Sequence, residues 1–279
     1  MHGPRNVRWN KGRCLAMALV ALAITALQRR VREYLIPRRD PRVPFEEFDL
    51  RTIDGIVIKA RMIPGSGGGA VIVAHPAVTG QRYAPLVEMA ERMAGHFDVF
   101  TFDFRGHGGS GGRLEMNLEG PLEDLDAVVS RVRSMGYMWV GVLGFSLGGM
   151  CALLYGARLG DVDAVAAVGA PPLLPDIEPY RCWLPVWSLF LRFLGARFKA
   201  EGTGGPLPME AAVDFPAIPL LIIHAGNEVF YPREDLEEMM DRLGKRADFW
   251  EIPGAAHTEL VGREDDVVLW FMEKSDSAG

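Results

Sequence analysis

Cysteine is scarce. Cys14, Cys151 and Cys182 are the three in 279 residues, an odd number that cannot form a disulfide framework. None stands at a spacing from histidine that suggests zinc, and nothing in the chain implies a metal or an organic cofactor. Internal repeats are missing, which excludes solenoids and propellers. Low complexity is confined to Gly65-Ser66-Gly67-Gly68-Gly69, which reads as a turn. An excess of positive charge is missing too: the net charge is −6, and residues 45–279 alone carry −14. That argues against nucleic acid as a partner. Nor does any apolar run reach the ~20 residues that comfortably span a bilayer.

The longest apolar run, residues 14–27, sits inside a basic arm of net charge +8 over residues 1–44. Its fourteen residues match a signal-peptide core or an interfacial helix. Arg5, Arg8, Lys11 and Arg13 make a signal-like start, but Gln28-Arg29-Arg30-Val31-Arg32 follows without a small-x-small cleavage site. Arginines just past the apolar core also oppose export. The expectation is an uncleaved membrane anchor, with a cleaved signal or a soluble packing helix as alternatives. The rest of the chain would then lean towards the cytoplasmic face.

From Phe45 onward the pattern is that of a single large domain, residues 45–279. Two strand-like runs, 45–52 and 56–62, flank Asp54-Gly55, a strong hairpin signal. An unbroken apolar run at 70–74 reads as a central buried strand, and further strands read at 98–102, 140–145, 162–168, 218–224 and 249–252. Helical spacing of apolar residues predicts helices over 83–94, 119–135, 233–243 and 265–274. A hairpin followed by alternating strands and helices predicts a mostly parallel sheet covered on both faces. Ligands of such sheets bind at the carboxyl ends of the strands.

The chain is organised around Val140–Met150. Here an apolar strand meets Gly144-Phe145-Ser146-Leu147-Gly148, which opens a helix. In a strand–turn–helix elbow the serine hydroxyl is exposed at the tip, and the helix N-terminus faces any anion forming there. A serine hydroxyl is a weak nucleophile and needs a base with an orienting acid behind it. Among the six histidines, His257 lies in the loop after the last strand, on the same sheet edge as Ser146. His96 reads as solvated and His224 as a hydrogen-bonded core residue. The acid should fall between Ser146 and His257 in the chain. Glu228, in the loop after the 218–224 strand, is the candidate, with Asp176 as its rival. One oxyanion donor is the N–H of Leu147. The second comes from the loop after the first central strand, where Pro76 has no N–H and Ala77 is the choice. The loop Asp103–Ser110 reads as structural, with Asp103 and Arg105 bracing neighbouring loops.

Four motifs stand in register: Asp-x-Arg-Gly-His-Gly-x-Ser at 103–110, Gly-x-Ser-x-Gly at 144–148, an acid after Ile-Ile-His, and Pro-Gly-x-x-His at 253–257. Together they resemble the α/β-hydrolase superfamily, most closely its esterase, monoacylglycerol-lipase-like and serine-aminopeptidase-like branch. The resemblance covers about residues 45–275. It implies an α/β-hydrolase fold with a Ser146–His257–Glu228 triad. Two departures mark this chain. The family commonly has His-Gly where His75-Pro76 stands, and Asp where Glu228 stands.

Residues 171–215 occupy the family's cap insertion. They are rich in Trp and Leu, with Trp183 and Trp187 four apart and so on one face if helical. That segment either packs on the sheet or forms an apolar acyl-binding wall, in which Trp183 and Trp187 would bind substrate. The resulting expectation is a serine hydrolase of apolar carboxylic esters that acts on a small-molecule ester or a lipid. An amidase, peptidase or thioesterase with the same triad is the alternative. A non-catalytic, membrane-tethered binding protein on the same scaffold is the other. Serine at the elbow, in place of Asp, disfavours a dehalogenase.

Overall fold

In a computed structural model of the chain, the described residues are 30–115, 117–174, 192–193, 195–199, 205 and 207–278. The chain divides into two compact units, Met1–Arg38 and Arg39–Gly279. The described part of the first is helical over residues 30–35. The apolar run at 14–27 lies outside the described residues, and among those no helix is long and apolar enough to cross a membrane.

The second unit opens with the hairpin. Strands β1 (Glu46–Arg51) and β2 (Val57–Ile63) pair antiparallel with Leu50 opposite Ile58. Gly55 takes φ +84° in the turn, a conformation that costs glycine little. Next come β3 (Ala70–Ala74), helix α1 (Ala84–Met93), β4 (Asp98–Phe102), the short β5 (Leu114–Glu115) and helix α2 (Glu119–Ser134). The elbow unit is β6 (Val140–Phe145) and α3 (Leu147–Arg158), followed by β7 (Ala164–Val168). The remaining elements are β8 (Phe198–Lys199), α4 (Pro208–Ala211), β9 (Leu220–Ala225), α5 (Arg233–Leu243), β10 (Asp248–Ile252) and α6 (Glu264–Asp276).

Among the described residues, eight strands form one sheet in the order β1-β2-β4-β3-β6-β7-β9-β10. From β4 to β10 the neighbouring strands run parallel. Alternate residues of each strand point to opposite faces, and here both faces are apolar. Ala70, Ile72 and Ala74 pack with Leu125 and Val129 of α2 and Leu154 of α3. Val71 and Val73 pack with Leu86 and Met93 of α1 and Phe271 of α6. This two-sided burial is why β3, β6 and β7 read as unbroken apolar runs. It also brings the loops after β3, β6, β9 and β10 to the carboxyl edge. The insertion expected at 171–215 is described only in part. There β8 pairs parallel with β5, while Asp176, Trp183 and Trp187 lie outside the described residues.

Candidate active site

The elbow is built by close packing. A Cβ on Gly144 would stand 2.1 Å from the Gly148 carbonyl oxygen, and a Cβ on Gly148 would stand 2.4 Å from that of Ala74. Both positions therefore exclude any side chain, and α3 can begin directly against β3. Between them Ser146 takes φ +50°, ψ −110°, a backbone that a non-glycine residue rarely adopts. Its N–H is held by the Val168 carbonyl at 2.8 Å, and its carbonyl accepts the Met150 N–H at 2.9 Å. The turn thus leaves the side chain half-buried at the edge.

His257 arrives from the loop after β10. Its Nε2 lies 2.9 Å from Ser146 Oγ, and its Nδ1 lies 2.6 Å from Glu228 Oε2. With Nδ1–H donating to the carboxylate, Nε2 is left to accept the serine hydroxyl proton. The Glu228 carboxylate is 3% exposed, yet it is not an isolated buried charge. Its Oε1 accepts the N–H groups of Val229 and Phe230, each at 2.8 Å. Those two bonds fold the longer side chain back towards His257. The two loops are also tied together: Asn227 N–H donates to Ala255 O and Asn227 Nδ2 to Gly254 O, both at 2.9 Å. Phe230 lays its ring over that of His257, with centroids 4.3 Å apart.

The expected oxyanion loop follows β3. Neither the Ala77 nor the Leu147 N–H donates to an acceptor among the described residues, so both remain available. A buried pair of histidines holds this loop. His107 Nδ1–H donates to Arg105 O at 3.1 Å, which leaves Nε2 to accept the Val78 N–H at 3.0 Å. His75 is arranged alike, donating from Nδ1 to Pro76 O at 2.7 Å and accepting the Phe104 N–H at Nε2 at 3.0 Å. The two rings stand 4.9 Å apart and are fully buried. Burial, and then the neighbouring His75, push the His107 pKa down to about 3, so the ring stays neutral. Val78 itself takes φ +70°, a strained value that its hydrogen bond to His107 holds in place.

The bracing expected of Asp103 and Arg105 is present. Asp103 accepts the Gln81 N–H at 2.8 Å and the Gly109 N–H at 3.0 Å, which joins the loops after β3 and β4. Arg105 pairs with Asp124 on α2 and with Asp54 in the hairpin turn. His224 is buried with its Nδ1 3.2 Å from the Tyr231 hydroxyl, while His96 is exposed. Cys151 is free and buried on α3. Sequence patterns did not reveal the His75–His107 pair, the Phe230 ring or a cavity of about 430 Å³ that His257, Pro76 and Phe145 help to line. The one available signal was the conjunction of His75 with the Arg-Gly-His-Gly loop, two motifs read separately.

Among curated proteins no sequence relative is found. A family model described as the alpha/beta hydrolase fold matches residues 70–204. Solved structures give the same answer for the fold. The Pyrococcus furiosus esterase Pf2001 superposes with a TM-score of 0.67 at 19% identity, over 85% of this chain and 98% of that one. The α/β hydrolase GrgF from Penicillium sp. sh18 has a TM-score of 0.67 at 16% identity, over 83% and 98%. The monoacylglycerol lipase from Paleococcus ferrophilus has a TM-score of 0.61 at 17% identity, over 78% and 99%.

Proposed function

We propose that this chain, which has the α/β-hydrolase fold, is a serine hydrolase that cleaves carboxylic esters through an acyl-enzyme. The observation that carries the reading is the continuous relay from Ser146 Oγ through His257 to Glu228, with contacts of 2.9 and 2.6 Å. Ser146 attacks the ester carbonyl carbon while His257 Nε2 takes the hydroxyl proton. Glu228 holds the ring in the tautomer that leaves Nε2 basic, and stabilises the imidazolium that forms. The carbonyl oxygen, now negative, is met by the Leu147 and Ala77 N–H groups at the start of α3 and on the β3 loop. His257 then returns its proton to the leaving alcohol. Water, activated by the same imidazole, releases the acid from Ser146.

The similar structures include an esterase and a monoacylglycerol lipase, which supports esters over other acyl compounds as the substrate class. The basic, apolar segment at 1–44 supports attachment to a membrane surface, where lipid esters would be met. A fluorophosphonate probe tests the chemistry. Labelling of the wild-type chain that Ser146→Ala abolishes is expected, together with turnover of 4-nitrophenyl esters. Absence of labelling in folded protein, or labelling that survives Ser146→Ala, would remove the proposal. Full-length protein is expected to partition with membranes or detergent, and recovery in the soluble fraction without detergent would remove the anchor.

A further inference from the structure

Of the relay, His257 forms part of the wall of the cavity of about 430 Å³, beside Phe145, which precedes Ser146 in the chain, and Pro76, which precedes Ala77. Its size falls within the range of small-molecule sites. Further in, the wall is Leu86 and Met89 from α1 and Leu260 from the loop after His257, all buried residues packed in the core beneath. This part of the wall is therefore preformed and apolar. Two carboxylates, Glu259 and Glu264, also border the space. Glu259 is anchored through Oε2, which accepts the Ala256 N–H at 2.9 Å.

The direction of proton transfer says which part of an ester belongs there. When Ser146 Oγ bonds to the carbonyl carbon and the carbonyl oxygen turns to the Ala77 and Leu147 N–H groups, the leaving oxygen must face His257 Nε2. The bond between the carbonyl carbon and the leaving oxygen then breaks. The proton on Nε2 passes to that oxygen, and the alcohol departs neutral. Its carbon chain runs on past His257, whereas the acyl chain extends from the opposite side of the carbonyl carbon. We infer that the cavity is the leaving-group site and takes an apolar, uncharged alcohol portion, rejecting alcohols that carry a carboxylate. This rests on the ester-hydrolase reading above. Burial of methylenes against Leu86, Met89 and Leu260 supplies the preference, and Glu259 and Glu264 supply the rejection by like charge.

The experiment holds the acyl group constant. For the full-length protein, kcat/KM is measured on acetates of methyl, butyl and hexyl alcohol, and on isopentyl acetate against its anionic isostere 3-acetoxypropanoate. A rise of about tenfold or more from methyl to hexyl is expected, with 3-acetoxypropanoate slower than isopentyl acetate by a similar factor. Leu260→Trp, which fills the space, should flatten the alkyl series. Glu259→Gln, at an exposed position, should narrow the isopentyl-to-anion ratio several-fold. Should Leu260→Trp fail to fold, the wild-type series and Glu259→Gln still decide. A flat or falling alkyl series, or an unchanged ratio in Glu259→Gln, overturns the assignment. So does an alkyl series that stays as steep in folded Leu260→Trp as in the wild type. Hydrolysis that survives Ser146→Ala would instead overturn the ester-hydrolase reading beneath it.

Discussion

The Glu228 carboxylate meets His257 Nδ1 at 2.6 Å with one oxygen, while the other takes the amides of Val229 and Phe230. A side chain one methylene shorter cannot keep both attachments. Ser146→Ala and His257→Ala should each lower ester turnover by about a thousandfold or more, because such groups act as a unit. Glu228→Ala should be severely impaired and Glu228→Asp partly so, with Glu228→Gln tracking the Ala variant because the charge is lost. Steady-state kinetics on 4-nitrophenyl esters rank the five variants. A near-normal Glu228→Ala would take the acid role away from this residue.

His107 should make the fold acid-sensitive. Its ring is neutral in the native state, with a pKa near 3, against an ordinary value of 6.5. Below pH 6.5 the unfolded chain takes up a proton that the folded one does not. Acid therefore favours unfolding, and the stability present above pH 6.5 is lost as pH falls towards 3. Between pH 7 and 5 this one group should remove about 2 kcal/mol. Urea unfolding of wild type and His107→Gln at both pH values measures it, with the variant showing the smaller difference between them.

The same ring positions the proposed oxyanion loop through Val78. His107→Ala should lower kcat by about 10- to 100-fold with little change in KM, since only the transition state uses the Ala77 N–H. A variant equally stable at pH 8 and fully active would separate the loop from catalysis.

Gly144 and Gly148 should tolerate no side chain. Gly148→Ala places a methyl 2.4 Å from the Ala74 carbonyl oxygen, a backbone atom that cannot swing away. The expected outcome is loss of fluorophosphonate labelling, with a fall in melting temperature by circular dichroism. Unchanged labelling would mean that the elbow is looser than its contacts imply.

Where the body begins can be tested by truncation. Arg39 grips both Glu91 oxygens at 2.8 and 2.6 Å, and Asp40 pairs with Arg61 and Arg82. Deleting residues 1–38 should leave a folded, active protein. Deleting 1–44 also removes those pairs and should cost a further 1–2 kcal/mol or so, read as a drop of several degrees in melting temperature.

For the apolar segment around Trp183 and Trp187, an acyl-length series at constant alcohol is the measurement. If Trp187 lines the acyl site, Trp187→Ala should flatten the profile while barely changing acetate hydrolysis. A fall in melting temperature with the profile intact would make it a core residue instead.

What the sequence by itself determined are features that depend on neighbours along the chain. The hairpin at Asp54-Gly55, the Arg233–Leu243 helix and the strand–serine–helix elbow follow from turn chemistry and period, which act over a few residues. The placing of Ser146, Glu228 and His257 on one edge followed from the alternation of strands and helices, because every parallel strand ends on the same side. Tertiary structure alone decided the rest. The order β4-β3-β6 sets the loops after β3 and β4 side by side, and only then does His107 reach Val78, 29 residues away, to hold the loop after β3. The pairing of β9 with β10 brings Phe230 over His257, 27 positions later in the chain, by the same logic. The apolar space beside His257 exists because α1 and the loop after β10 meet on one face of the sheet. Contacts of that kind arise from which strands become neighbours, and no local periodicity encodes that choice.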